Sequence, residues 1–240
     1  MSRNHGPVAP TRSAEGKKVL LVINKYLAEL VGTFILVFFG SMSVLAAVAT
    51  EGPVMIIVPF GFGLGLLAAI FAVGHVSGGH FNPAVTLAMW LDKRTTSSDL
   101  IGYWIGQFLG ATLASGVVLA VADTAAVQAT INRHTSSGSG LVLEAVLTLV
   151  FVMVILASTR TVPQLAGIVI PLSLVAVHLA GIPFSGASVN PARSFGPALI
   201  GGDFGGFWIY IVGPFAGAAV TWVFSRMFGG DEEPTPGQIL

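Results

Sequence analysis

The tripeptide Asn-Pro-Ala occurs twice, at Asn82-Pro83-Ala84 and Asn190-Pro191-Ala192, inside stretches almost devoid of charge. Each copy follows a small, Gly-containing run, Ser77-Gly78-Gly79-His80-Phe81 and Ser185-Gly186-Ala187-Ser188-Val189. Each opens an apolar stretch, residues 82–91 and 190–200. Asn is a strong helix N-cap and Pro suits the first helical position, so each copy predicts the start of a helix only ~15 Å long. That covers half of a bilayer's ~30 Å hydrocarbon core. Irregular backbone at such depth is tolerated only where protein buries it or where it lines a water-filled cavity. The chain is therefore expected to break the membrane twice.

Composition supplies the solvent: 54% of residues are hydrophobic and 9% charged, against roughly 25% charged in soluble domains. Six segments approach the ~20 apolar residues a span requires: residues 26–49, 54–76, 100–122, 141–158, 162–180 and 204–228. Six spans place both chain ends on one side. That side receives Arg3, Arg12, Lys17, Lys18, Lys25, Lys93, Arg94, Arg160 and Arg226, while the other receives Arg133 and Arg193. Positive loops stay cytoplasmic, which predicts a multi-pass protein of the cell membrane with both termini cytoplasmic. Residues 1–25 read as an N-terminal tail without a cleavable signal pattern, residues 123–140 as an extracellular connection, and residues 229–240 as a solvated C-terminal tail. A net charge of zero offers no electrostatic case for nucleic acid, and the absence of Cys excludes disulfides and thiolate metal or redox sites.

The halves are duplicates. Ala28-Glu29-Leu30-Val31-Gly32-Thr33-Phe34 is echoed by Leu143-Glu144-Ala145-Val146-Leu147-Thr148-Leu149, and Tyr103-Trp104-Ile105-Gly106-Gln107-Phe108 by Tyr210-Ile211-Val212-Gly213-Pro214-Phe215. With three spans per repeat (residues 26–122 and 141–228), the second copy enters the membrane inverted. The fold class expected is an all-α membrane protein of six transmembrane helices plus two re-entrant half-helices, 82–91 and 190–200, whose Asn caps meet near the midplane.

An unpaired amide in lipid costs several kcal/mol, so Asn82 and Asn190 must be partnered. Their carbonyls suit the cap, which leaves NH2 donors for a passing water. The two helix N-termini add fractional positive charge at the same spot, repelling protons and other cations. Arg193 is an intramembrane charge and thereby a functional candidate. Glu29 and Glu144 read as braces that accept backbone N–H groups of the re-entrant loops, in preference to a proton relay. His80 fits either a vestibule or a loop brace. His75 is without clear assignment, and His5 and His134 are expected to be solvated. Trp90, Tyr103, Trp104 and Trp208 suit interface anchors, while Gly32, Gly106, Gly110, Gly213 and Gly217 suit close helix crossings. Gly61-Phe62-Gly63-Leu64-Gly65 has no strand before it and is not read as a nucleotide loop.

Residues 77–86 and 188–194, within inverted three-span repeats covering about 26–228, resemble the aquaporin, or major intrinsic protein, family, and among it a bacterial water channel. The resemblance implies one pore per subunit, usually in a homotetramer, carrying water or, in a sister group, glycerol and small neutral solutes. It also implies a selectivity filter of Phe62, His178, Ala187 and Arg193. His178 stands twelve residues before Asn190, where water channels carry His, and Ser194 stands where glycerol channels tend to have Asp. Tyr210-Ile211 is neutral between the subfamilies. The reading is a passive, osmotically driven water channel that excludes protons and ions, with no enzymatic activity, cofactor, metal or catalytic residue. The alternatives are a glycerol facilitator, a secondary transporter and a non-conducting structural membrane protein.

Overall fold

The computed structural model describes residues 12–228. The expectations for residues 1–11 and 229–240, His5 and the acidic run among them, fall outside the described residues. Among the described residues there is no strand, and six helices are long and apolar enough to cross a membrane. They are the first span Arg12–Ala49, the second Val54–Ser77, the third Ser97–Val121, the fourth Ser137–Thr161, the fifth Pro163–Ser185 and the sixth Ile209–Phe228. Two half-helices, Pro83–Leu91 and Pro191–Gly201, follow the second and fifth spans. Large apolar side chains such as Phe39, Leu64, Phe71, Ile105 and Val142 stand exposed around the bundle, as lipid rather than water requires. The chain is an integral, multi-pass membrane protein.

The sequence places the breaks between helices. Gly78 and Gly186, at φ of 94° and 79°, terminate the second and fifth spans in a left-handed conformation. Side-chain oxygens of Thr96 and Ser136 cap the third and fourth spans. The third span packs on the first and the sixth on the fourth, through the same device. A Cβ at Gly106 or Gly110 would meet the Tyr26 or Leu30 carbonyl, and one at Gly217 would meet that of Ala145. Small residues thus let backbones approach directly, and the inverted repeat is visible in the packing. Each half-helix leans on the other repeat, the first against the sixth span and the second against the third.

Several boundaries and environments differ from the sequence expectations. The first helix begins at Arg12 rather than residue 26, and its Val19–Ile23 stretch is exposed on every side. The sixth begins at Ile209 because residues 205–208 are taken up by turns, and the connection 123–140 contains a short helix, Thr124–Ala129. Tyr103 is no interface anchor. It is buried, with its hydroxyl donating to the Ser77 carbonyl at 2.6 Å. Trp104 is half-buried and donates to the Pro83 carbonyl at 3.1 Å, while Trp90 and Trp208 are exposed. His134, expected in solvent, is half-buried and edge-on to Tyr210.

Candidate functional site

The two re-entrant loops are built alike. Gly78, Gly79 and Phe81 have positive φ in the first, and Gly186, Ala187 and Val189 in the second. A β-branched residue such as Val189 in that region is a real outlier, and such strain persists only when the surroundings over-determine it. They do so through a carboxylate. Glu29, wholly buried, accepts from Ser77 Oγ (2.6 Å) and the His80 and Phe81 backbone N–H groups (2.9 and 2.6 Å). Glu144 accepts from Ser185 Oγ (2.7 Å) and the Ser188 and Val189 N–H groups (2.8 Å each). The hydroxyls of Tyr103 and Tyr210 donate to the carbonyls of Ser77 and Ser185. One difference stands out. Gln107 Nε2 also donates to Glu29 (2.7 Å) and to Thr86 Oγ1 (2.9 Å), whereas the matching residue of the second repeat is Pro214.

With its N–H drawn to the carboxylate, each loop turns a carbonyl toward the other. Asn82 Nδ2 donates to the Val189 carbonyl (2.8 Å) and Asn190 Nδ2 to the Phe81 carbonyl (2.9 Å). Their Oδ1 atoms cap the half-helices, accepting from Ala84 N in the first and from Ala192 N and Arg193 N in the second. Pro83, Ala84, Pro191 and Ala192 are buried beside them. Each amide therefore spends one of its two N–H groups across the repeats and keeps one. Sequence reasoning foresaw the caps but not the exchange between the loops.

Both Asn residues line a cavity with His80, Phe62, His178 and Arg193. Phe62 of the second span and His178 of the fifth stack with ring centroids 4.7 Å apart, and Arg193 Cζ lies 4.7 Å from the Phe62 centroid. His178 Nδ1 is 2.9 Å from the Leu174 carbonyl. A carbonyl only accepts, so this nitrogen carries the hydrogen, which in a neutral ring leaves Nε2 as an acceptor. Neither His178 Nε2 nor Arg193 Nε has a protein partner among the described residues. Arg193 is held from behind, its Nη1 donating to the Thr130 carbonyl (3.1 Å) and to Asn132 Oδ1. None of the ion pairs among the described residues includes it. Ala187 is fully buried next to Ser188 of this lining, and a Cβ at Gly181 would come within 2.9 Å of its own Cβ.

The His80 ring lines the cavity and a second opening shared with Arg94, Lys25 and Asp99, while Nδ1 lies 3.1 Å from Thr86 Oγ1. Sequence reasoning missed Thr130 and Asn132, which sit in the connection between repeats. No local signal marks them, because their role depends on a residue some sixty positions away.

Two half-helices meeting cap to cap beside a cavity that both Asn residues, His178 and Arg193 line, within two inverted three-span repeats, define a membrane channel. A sequence profile described as "MIP: Major intrinsic protein" matches residues 17–224. The glycerol uptake facilitator protein-like 6 of Lactiplantibacillus plantarum is 38% identical over 220 residues, 88% of this chain and all of that one. Aquaporin Z of Photorhabdus laumondii is 38% identical over 218 residues, 83% of this chain and 94% of that one. The X-ray structure of the aquaglyceroporin from Plasmodium falciparum superposes with a TM-score of 0.77, covering 87% of this chain and 97% of that one at 21% identity. The chain belongs to the major intrinsic protein family, whose members are membrane channels and not enzymes.

Proposed function

We propose that the protein is a passive, water-selective channel of the cell membrane, with both termini cytoplasmic and a homotetrameric assembly. Water enters through the vestibule shared by His80, passes the remaining N–H groups of Asn82 and Asn190, and crosses the Phe62–His178–Arg193 constriction. The observation that carries the reading is this constriction. An aromatic ring lies 4.7 Å both from an imidazole and from a guanidinium, and each of those polar groups keeps a nitrogen without a protein partner. Such a site replaces the hydrogen bonds of a single water and leaves little room for a three-carbon polyol. At the midplane, two amide donors and two helix N-termini orient the water and repel cations. Glu29 and Glu144 act as braces on this reading, since their oxygens are occupied by loop donors.

A second reading, a facilitator of glycerol or a similar neutral solute, draws support from the name of the L. plantarum relative, which this chain matches over its whole length. Stopped-flow light scattering on proteoliposomes separates the two. Shrinkage against an impermeant sugar is expected to be fast and glycerol entry slow. Water flux equal to that of empty liposomes would sink the channel reading, and glycerol flux comparable to water would favour the second. His178→Gly with Phe62→Ala is expected to admit glycerol; continued exclusion would remove these residues from the filter.

A further inference from the structure

The lining of the constriction does not explain where the Phe62 ring stops. The second span is clamped from two sides by three glycine contacts. A Cβ at Gly61 would fall on Ser43, one at Gly63 on Val175, and one at Gly65 within 3.1 Å of Phe39 Cβ. The backbone carrying Phe62 is thereby pressed between the first and fifth spans and has no slack to retreat. Its ring is 2% exposed, with His178 stacked on it and the Arg193 guanidinium over it. Gly40 of the first span lies against the edge of this ring. A Cβ at this buried position would coincide with the edge of the Phe62 ring, at Cε1, Cδ1 and Cζ. The ring sits in the notch that this missing side chain leaves.

We propose that Gly40, which is not itself part of the cavity lining, is a specificity-determining residue that sets the width of the pore through Phe62. The inference rests on the reading of Phe62, His178 and Arg193 as the constriction. A methyl group at position 40 evicts the ring edge from its notch. Because protein interiors are close-packed, the ring then moves toward the side still open to it, the cavity between His178 and Arg193. A smaller residue at position 62 makes the notch irrelevant.

The experiment compares full-length wild type, Gly40→Ala, Phe62→Ala and the double variant in proteoliposomes, with water permeability divided by the amount of protein incorporated. Gly40→Ala is expected to lower water permeability at least fivefold, and the double variant to match Phe62→Ala within twofold. Unchanged permeability in Gly40→Ala, or the same fold-loss in both backgrounds, overturns the proposal. If Gly40→Ala alone is not recovered as folded protein, the Phe62→Ala background must restore it, and a failure to restore also overturns the proposal. Wild-type liposomes no faster than empty ones strike at the channel reading instead. The two failures are thus distinct.

Discussion

Arg193 shows how a single buried charge is positioned by residues some sixty places away in the chain. Its Nη1 donates to the Thr130 carbonyl and to Asn132 Oδ1. The same Oδ1 accepts from Ser194 Oγ at 2.7 Å, while Asn132 Nδ2 donates to the Gly186 carbonyl at 3.0 Å. Asn132 therefore ties the guanidinium to the loop that precedes its own half-helix. Asn132→Ala leaves buried donors without an acceptor, at a cost of about 1–3 kcal/mol for each. It is expected to lower the melting temperature in detergent and to reduce water permeability several-fold as Arg193 loses its orientation. A variant matching wild type in both measurements would show the tether to be dispensable.

At the scale of elements, each re-entrant loop trades local strain for a shared hydrogen-bond pattern. Phe81 and Val189 are forced to positive φ. Their N–H groups reach Glu29 and Glu144, and their carbonyls reach the opposite Asn. Replacing either carboxylate by Ala strands two backbone N–H groups and a Ser hydroxyl. Folded yield in detergent is therefore expected to collapse for both Glu29→Ala and Glu144→Ala. Near-normal yield for either would refute the bracing role. The milder Glu29→Gln keeps one oxygen acceptor but turns an NH2 toward donors. Where it folds, osmotic water flux is expected to be indifferent to an imposed pH gradient, whereas loss of gradient-driven uptake would favour a secondary transporter.

At the scale of the molecule, the repeats are joined where the two Asn caps meet and again on one face, while on the other face the connection is tied to the second repeat. On one face Asp92, which caps the end of the first half-helix, receives Arg160 of the fourth span at 2.6 Å and Arg94 at 2.8 Å. Arg94 also donates to Thr159 Oγ1 at 2.7 Å. Asp92 is 2% exposed, and removing one partner from a buried pair costs about 3–5 kcal/mol. Asp92→Ala is expected to lower the thermal midpoint by many degrees, and a shift of only a degree or so would place this cluster in solvent. On the other face, half-buried Asp203 is held below the usual carboxylate range, first by the Gly205 N–H and then by Arg133. A carboxylate with a lowered folded pKa contributes stability above its ordinary value of 3.8 and loses it as pH falls through the folded value. The effect of Asp203→Asn is expected to be small, weakened by salt and absent in strong acid. An effect that persists in strong acid would mean that charge is not its source.

The sequence by itself determined the solvent, the six spans, the two broken helices and the inverted repeat. Each of these follows from local patterns: apolar run length, an Asn-Pro helix start, and the same Glu and Tyr at matching positions in both halves. Arg193 and the Asn pair were legible for a related reason, since a charge or bare amide within an apolar stretch has few harmless explanations. Tertiary structure alone decided the rest. It decided that the Asn amides donate across the repeats, that Asn132 and Thr130 hold Arg193, that Tyr103 faces inward, and that Gly40 is the notch for the Phe62 ring. These are contacts between segments far apart in the chain, where neither residue type nor spacing carries information. Close packing specifies them only once both helices are in place.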